Sequence, residues 1–256
     1  MRFIVLGDIH ANAIALEAAL DAAREIGFDR LILLGDLFTY GVEPRAVFEL
    51  TLEAQERDEA LLLIGNHDEF YLDHGDRTRE YRSRLPAWIR ESVDWTERQL
   101  EGLELDALEW LECHEQAGAF FAHANPFAFP DWRYLNTEAE YREAAIALSG
   151  RGHQFSVVGH THRQKIVKLV EDEVVFSGSE SLTIPTRDGV ICVNAGSVGQ
   201  PRNTEKRSYL LRLDLHDDEA DIEFVPLHYD VGRTRALVRA SGFSGTTVDR
   251  LLGFYS

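Results

Sequence analysis

The 256-residue chain has only two cysteines, Cys113 and Cys192. That is too few for a disulfide framework or a thiolate zinc cluster. One bridge between them is a possible arrangement, but two unpaired, buried thiols in a reducing compartment are the favoured one. No apolar run reaches the roughly 18–20 residues that cross a bilayer. The opening Met-Arg-Phe-Ile-Val-Leu-Gly-Asp8 is too short an apolar stretch for a signal peptide and has no small-residue cleavage site behind it. A cytoplasmic protein with no membrane partner is expected. Lysine is scarce, with only Lys165, Lys168 and Lys206 among 26 basic residues, and no function follows from that. Positive charge is in deficit, because 26 Lys and Arg against 44 Asp and Glu leave −18. Such a chain repels phosphate backbones, so long nucleic acid is an unfavourable partner. A small phosphorylated substrate would need a local source of positive charge. There is no internal repeat, low-complexity tract or flexible linker, so one domain over residues 1–256 is expected. A chain of this length can bury roughly 70–75% of its unfolded surface.

The first half has an alternating rhythm. Residues 3–6, 31–34 and 61–64 are apolar runs ending in Gly7-Asp8, Gly35-Asp36 and Gly65-Asn66. Between them lie helical patterns. One is capped by Asn12 and runs to Gly27; the other covers about 44–55 with Pro44 in its first turn. Strands alternating with helices predict βαβ units and a parallel sheet. Residues 79–115 are charged and rich in Leu, Trp and Ala, and predict one or two helices lying over the sheet edge as a cap. Residues 118–122 predict a strand ending in His123, 137–148 a helix, and 155–158 a strand ending in Gly159-His160. Closely spaced strand patterns follow at 165–170, 174–176, 190–193, 208–215 and 222–226, suggesting an antiparallel second sheet. Asp217-Asp218-Glu219 reads as a solvated hairpin turn. Two short helix patterns, at 231–240 and 247–252, close the chain.

Five of the strand runs end in residues that bind metals: Asp8 and His10; Asp36; Asn66, His67 and Asp68; His123; His160 and His162. In open α/β sheets, ligands bind beyond the carboxyl ends of the strands. With Asp68 set aside, two aspartates, an asparagine and five histidines would therefore gather at one rim. A glycine precedes the first such residue in four of the five, allowing a tight turn and close backbone approach. Carboxylate and imidazole donors suit manganese, iron, zinc, nickel or cobalt. Asp36 has two oxygens and can bridge two ions. Such ions would also supply the positive charge that the chain lacks. Taken singly, each element reads as a helix cap, a turn or an ordinary hydrogen-bonded histidine; the five together do not. Asn12 is explained by capping, with substrate contact as an addition, and Asp68 reads as a structural partner rather than a ligand. His74, His114, His153, His216 and His228 lie outside these motifs and are given no catalytic role.

In the order and separation of Gly-Asp8-Ile-His10, Gly-Asp36, Gly-Asn66-His67-Asp68, His123 and Gly-His160-Thr-His162, the chain resembles the calcineurin-like metallophosphoesterase superfamily. Its bacterial and archaeal branch of small phosphodiesterases is resembled further by Asp36-Leu-Phe-Thr-Tyr40-Gly41-Val-Glu-Pro44, by Asn194-Ala-Gly196-Ser197-Val-Gly199-Gln200-Pro201-Arg202 and by His228-Tyr229-Asp230-Val231. The resemblance implies a four-layer α/β/β/α sandwich of two mixed sheets flanked by helices, with a helical cap at about 79–115. It implies Asp8, His10 and His162 on one divalent ion, Asn66, His123 and His160 on another, and Asp36 bridging. Manganese is the favoured metal, with iron, zinc, nickel, cobalt or magnesium as alternatives. His67 would orient or protonate the leaving oxygen while a hydroxide bridging the ions attacks phosphorus in line.

Two departures narrow the implied activity. Protein phosphatases and symmetrical dinucleoside tetraphosphatases of the family continue Gly-Asp with an Asp-Arg-Gly, whereas this chain has Thr39-Tyr40-Gly41 and lacks that arginine. Ala11 stands where glycine is common, and His123-Ala-Asn-Pro126 replaces a His-Gly-Ser-Pro. The expected activity is hydrolysis of a small phosphodiester. The alternatives are a nucleotidase-like phosphomonoesterase and a non-catalytic binding module on the same scaffold. For substrate contact the candidates are Asn12, Trp132 and Arg202. Phe127, Phe129 and Tyr134 join Trp132 as aromatic faces on which a nucleotide base could stack. Oligomeric state and physiological substrate are not legible at this level.

Overall fold

The computed structural model describes residues 1–72 and 76–255, so His74 lies outside the described residues. In chain order the elements are β1 (Arg2–Leu6), α1 (Ala13–Ile26), β2 (Arg30–Leu33), α2 (Pro44–Asp58), β3 (Leu61–Leu63), α3 (Asp76–Ser83) and α4 (Ala87–Leu100). Then come β4 (Trp110–Leu111), β5 (Cys113–Gln116), β6 (Ala119–Ala122), α5 (Glu138–Gly150), β7 (Phe155–Val158), β8 (Gln164–Val170) and β9 (Glu173–Gly178). The chain closes with β10 (Leu182–Pro185), β11 (Val190–Ala195), β12 (Tyr209–Leu215), β13 (Glu219–Pro226), α6 (Val231–Ala240) and α7 (Gly245–Leu252).

The strands form two mixed sheets, ordered β10-β13-β12-β1-β2-β3-β4 and β5-β6-β7-β11-β8-β9. Strands β1 to β4 are parallel, as are β6, β7 and β11. The central runs are apolar throughout because both faces are covered. Along β1, Phe3 and Val5 point into the core between the sheets, with Phe121, Val157, Ile191 and Val193 of the other sheet. Ile4 and Leu6 point the other way, onto Leu16, Leu20, Val47 and Phe48 of α1 and α2. On the far side, Val158 and Cys192 pack against Tyr141, Ala144 and Leu148 of α5. The layers are therefore helix, sheet, sheet, helix.

Local signals behave as the sequence suggests where a cap defines them. The Asn12 side chain accepts from the Ala15 N–H at the start of α1. Thr137 and Glu140 form a reciprocal capping box at the start of α5. Cys113 is exposed and Cys192 buried, and both are free, so the expectation of two buried thiols fails at Cys113. Among the described residues no helix is long and apolar enough to cross a membrane.

Two expectations about elements and sheets are corrected. Residues 110–116 are strands, not part of a helical cap: β4 extends the first sheet beside β3, and β5 forms a hairpin with β6. The helical part of 79–115 consists of the end of α3, of α4 and of a short turn at Leu105–Ala107. The later strands do not form one antiparallel sheet. β8, β9 and β11 join β7 in the second sheet, while β12 returns to pair antiparallel with β1 in the first sheet and β13 pairs antiparallel with β12. Local spacing reveals which neighbours form hairpins, but not which sheet edge a hairpin joins. The short edge strand β10 was not anticipated; it pairs with β13 and ends in Pro185, which an edge tolerates. The acidic cluster 217–219 does lie at the β12–β13 turn.

Helix α4 packs beside the C-terminal helices: Trp88, Ile89 and Trp95 meet Val238, Phe243, Leu251 and Tyr255. Trp95 donates to the Ser241 carbonyl at 3.1 Å. The Ser92 hydroxyl accepts the Tyr40 N–H at 2.7 Å, tying this helix to the turn that follows Asp36. Truncating Phe3, fully buried between the sheets and 5.1 Å from the Phe121 ring, is expected to cost about 3–5 kcal/mol. Urea denaturation of Phe3→Ala measures it; a loss below about 1 kcal/mol would contradict this core assignment.

Candidate metal centre

The turns after five parallel strands meet at one rim. β1 delivers Asp8 and His10, β2 delivers Asp36, and β3 delivers Asn66 and His67. From the second sheet, β6 delivers His123 and β7 delivers His160 and His162. Of the seven expected ligands none is more than 4% exposed. Donor atoms of Asp8, His10, Asp36 and His162 lie within 4.8 Å of one another, as do those of Asp36, His123 and His160, so Asp36 belongs to both groups. Asp36 Oδ2 is 3.6 Å from His10 Nε2 and 3.4 Å from His123 Nε2. Asp8 Oδ1 is 3.3 Å from His162 Nε2. Asn66 Oδ1 is 3.2 Å from His123 Nε2, which places Asn66 with the second group.

Backbone carbonyls orient the imidazoles. Nδ1 of His10, His123 and His162 faces the carbonyl oxygens of Phe38, Leu34 and Gln200 at 3.0, 2.8 and 2.6 Å, and His160 Nε2 faces that of Trp132 at 3.0 Å. A neutral ring that donates through one nitrogen presents a lone pair at the other. Thus, with both rings of a pair neutral, His10 Nε2 and His162 Nε2, 3.1 Å apart, would confront each other as acceptors, and so would His123 Nε2 and His160 Nδ1 at 3.2 Å. Only a cation or a proton between them relieves that opposition. The donor set therefore fits two positive ions, with Asp36 between them.

The titration behaviour follows from burial. Burial holds His10 and His162 well below the ordinary imidazole value. Burial also takes His160 down to about 3, helped by His123, and His67 to about 4, against the pull of Asp36. Those four rings are neutral at pH 7, the state in which imidazole ligates metals. Burial works against a charged His123 as well, but the charge and hydrogen bond of Asp36 and the charge of Asp8 outweigh it and lift the ring to about 9. Burial opposes ionisation of Asp36 too, yet His123, His67 and His10 hold its carboxyl well below the usual range. In the bare protein one proton on His123 thus compensates Asp36.

The backbone at this rim is strained. Asp8, His10, Ala11, Asp36, Tyr40, His160 and His162 all have φ between 47° and 67°. Such conformations cost on the order of 1–3 kcal/mol each and persist only where surroundings enforce them. Asp68 is one enforcer. Its carboxylate accepts the N–H groups of Asp36, Leu37 and Gly65 at 2.7, 2.8 and 2.9 Å, and none of its atoms joins the ligand groups. A Cβ at Gly65 would overlap the Asp36 carboxylate, and one at Gly159 would lie 2.8 Å from Asp8 Oδ2. The segment after β11 is another enforcer. Ser197 Oγ donates to the Asp8 carbonyl at 2.8 Å, and the N–H groups of Val198 and Gly199 donate to Gly7 and Asp8.

The remaining sequence candidates occupy varied places. His67 Nδ1 is buried without a hydrogen-bond partner among the described residues, and the ring stands edge-on to His10 at 5.2 Å. Asn12 is engaged structurally on both sides, accepting from Ala15 and donating to the Gly199 carbonyl at 3.0 Å. Trp132 donates to Glu69 Oε2 at 2.9 Å and sets its ring edge-on to His123 at 5.8 Å. The guanidinium of Arg202 donates to Gln200 Oε1, and its charge acts on His10 and His162. Phe127 lies under the Arg133 guanidinium, and Phe129 stands edge-on to Trp132. Tyr134 stacks on His160 at 4.0 Å with a half-exposed ring. Sequence reasoning missed Tyr40, which forms a buried wall against His10 and His67 at 4.8 and 4.7 Å. It also missed Tyr81 of α3, which hydrogen-bonds Asn66. Tyr40 lies inside a motif and could have been suspected; nothing in the sequence brings Tyr81 to Asn66. His114, His153 and His216 pair with Gln116, Glu115 and Asp221, none of which belongs to the ligand groups.

A family model described as the calcineurin-like phosphoesterase superfamily domain matches residues 1–218. The chain is 28% identical over 241 residues to MJ0912 of Methanocaldococcus jannaschii, covering 89% of this chain and 87% of that protein. A metallophosphoesterase from Sphaerobacter thermophilus superposes with a TM-score of 0.76 at 26% identity, covering 99% of this chain and all of that one. PH1004 from Pyrococcus horikoshii shares the fold at 16% identity, with a TM-score of 0.76 over 98% of this chain and 97% of its own.

Replacing Asp68 tests the bracing. Asp68→Ala strands three buried N–H groups, so a loss of at least about 3 kcal/mol in denaturant unfolding is expected. Weaker binding of divalent metal by calorimetric titration should accompany it. Unchanged stability and affinity would show that Asp68 does not hold the Asp36 turn.

Proposed function

The chain belongs to the calcineurin-like phosphoesterase superfamily, and we propose that it hydrolyses a small phosphate ester, preferring a diester, at a centre of two divalent ions. Asp8, His10 and His162 would hold one ion, Asn66, His123 and His160 the other, and Asp36 both. The observation that carries this reading is the pair of opposed imidazole contacts flanking one shared carboxylate. Bound there, divalent ions, with manganese first among those the donors accept, would neutralise phosphate charge and lower the pKa of water toward neutrality.

The chain's own groups do the rest. Carbonyls of Phe38, Leu34, Gln200 and Trp132 hold the rings in one tautomer each, so the donor set needs no rearrangement. His67, neutral at pH 7, can donate one N–H to a phosphate or leaving-group oxygen, and an anion beside it raises its proton affinity. Tyr40 closes the wall behind His10 and His67 and keeps bulk water from their faces. Preference for a diester is supported by the aromatic lining at Tyr40, Trp132 and Tyr134, and by Tyr40 standing in the motif where related phosphatases carry an arginine that would grip a dianion. The Sphaerobacter thermophilus relative, itself a metallophosphoesterase, supports the reaction class. We assign the protein to a reducing cytoplasm, which suits its free, exposed Cys113.

With manganese, bis(4-nitrophenyl) phosphate should be cleaved faster than 4-nitrophenyl phosphate, and a strong chelator should abolish both rates. Full activity after chelation would overturn the proposal. Asn66→Ala and His123→Ala should each lower kcat/KM by more than about a hundredfold, since even groups that merely orient ligands are worth 10–100-fold. His67→Gln should lower kcat by about 10²–10⁴ while leaving metal content intact. Acid should reduce activity, because metal must displace the proton that Asp36 holds on His123, a ring lifted to about 9, so metal affinity and the rate should fall as the pH drops below that value. A rate constant down to about pH 4 would contradict imidazole ligation.

A further inference from the structure

Beside the centre lies a cleft of about 740 Å³ whose lining includes Arg163, Arg202 and Lys206. Its lining is tied to the metal rim through the backbone. Arg163 directly follows His162, the Arg202 N–H donates to the His162 carbonyl at 3.2 Å, and the Arg163 side chain donates to the Arg202 carbonyl at 3.0 Å. Among the described residues, the hydrogen-bond and ring partners of the three cations are neutral. Arg202 meets the Gln200 amide oxygen at 2.8 Å, Arg163 meets a carbonyl, and Lys206 lies 5.9 Å from the Phe254 ring. Two carboxylates, Glu180 and Glu205, also line the cleft, so positive charge is in excess there although the chain as a whole carries −18.

The basic loop is built rather than loose. Asn203 donates to Gln164 Oε1 at 3.2 Å and to the Arg207 carbonyl at 2.7 Å, and accepts the Arg207 N–H at 3.1 Å. Lys206 is held at φ +54°, a left-handed conformation that a side-chain-bearing residue adopts only when its surroundings impose it. Hydroxyls of Ser179, Ser181 and Thr204 add donors suited to phosphate oxygens. None of these groups takes part in holding the metal ligands except Arg202, through Gln200.

We propose that this cleft binds a second phosphate group of the substrate, so that the ester cleaved at the metal centre carries another phosphate on its organic portion. The proposal rests on the phosphoesterase reading for its catalytic half only. It selects, among small phosphate esters, those of the nucleoside bisphosphate kind.

The test is calorimetric titration of the manganese-loaded protein with thymidine 5′-phosphate and with thymidine 3′,5′-bisphosphate at low salt. The wild-type protein should prefer the bisphosphate by about tenfold, and 0.5 M salt should remove most of that preference, since the Debye length shrinks to a few ångströms. Arg163→Gln and Lys206→Asn, the latter chosen because asparagine tolerates the left-handed backbone, should each reduce the preference about two- to fivefold. Neither should change hydrolysis of bis(4-nitrophenyl) phosphate more than about twofold. Equal affinity for the two nucleotides in the wild-type protein, or a preference untouched in both variants, would overturn the second-phosphate site. Preference without turnover of any ester would retain the cleft and remove the hydrolase reading, whereas turnover without preference would do the reverse.

Discussion

The structure depends on one carboxylate, Asp36, placed where the strand ends of two sheets meet. Its Oδ1 accepts the His67 N–H at 2.8 Å and its Oδ2 faces His10 and His123, so each oxygen has a distinct task. A carboxylate this deeply buried is costly unless its charge is answered. Imidazoles on both sides answer it, and their own lone pairs then require cations. Burial, charge and geometry converge on the same requirement, positive charge between the rings, which a proton on His123 meets in part and bound cations would meet in full.

Holding that carboxylate places demands well beyond its neighbours. The turn that carries it has a left-handed φ, and so do the turns carrying Asp8, His10, His160 and His162. Strain of this kind must be offset by packing elsewhere. The inter-sheet core around Phe3, Phe121 and Ile191, and the helix layers on either side, supply it. Asp68 and the segment from Asn194 to Arg202 convert that packing into position, by spending side-chain acceptors on N–H groups and donors on carbonyls at the turn backbones. The motif after β11 therefore acts chiefly as a clamp on the Asp8 turn, and Arg202 at its end carries charge into the neighbouring cleft.

Charge distribution connects the centre to its proposed substrate. A chain at −18 repels anions in bulk, so a phosphate ester is drawn only where the field reverses. Two places do so: the centre once it holds cations, and the cleft of Arg163, Arg202 and Lys206. Their adjacency through His162 lets one ligand span both. The aromatic rings of Tyr40, Trp132 and Tyr134 provide an apolar face beside the centre, suited to the organic part of an ester.

The sequence by itself determined the strand–turn–ligand units. A glycine and a polar residue at the end of a buried run state both the turn and the chemistry locally, and Asn12, Thr137 and Gly27 mark helix ends by hydrogen bonds that span a few residues. Hence the seven ligand candidates and the structural role of Asp68 were legible, while the layered α/β/β/α plan came only with the family resemblance that those motifs carry. Tertiary structure alone decided which sheet β12 and β13 joined, that residues 110–116 are strands, and that Tyr81 reaches Asn66. It alone also chose the carbonyls that fix each tautomer, since every residue has a carbonyl and none advertises its partner. The division follows from range: a pattern in sequence encodes interactions between residues near in the chain, whereas edge pairing and ring orientation are set by segments that meet only once the sheets have packed.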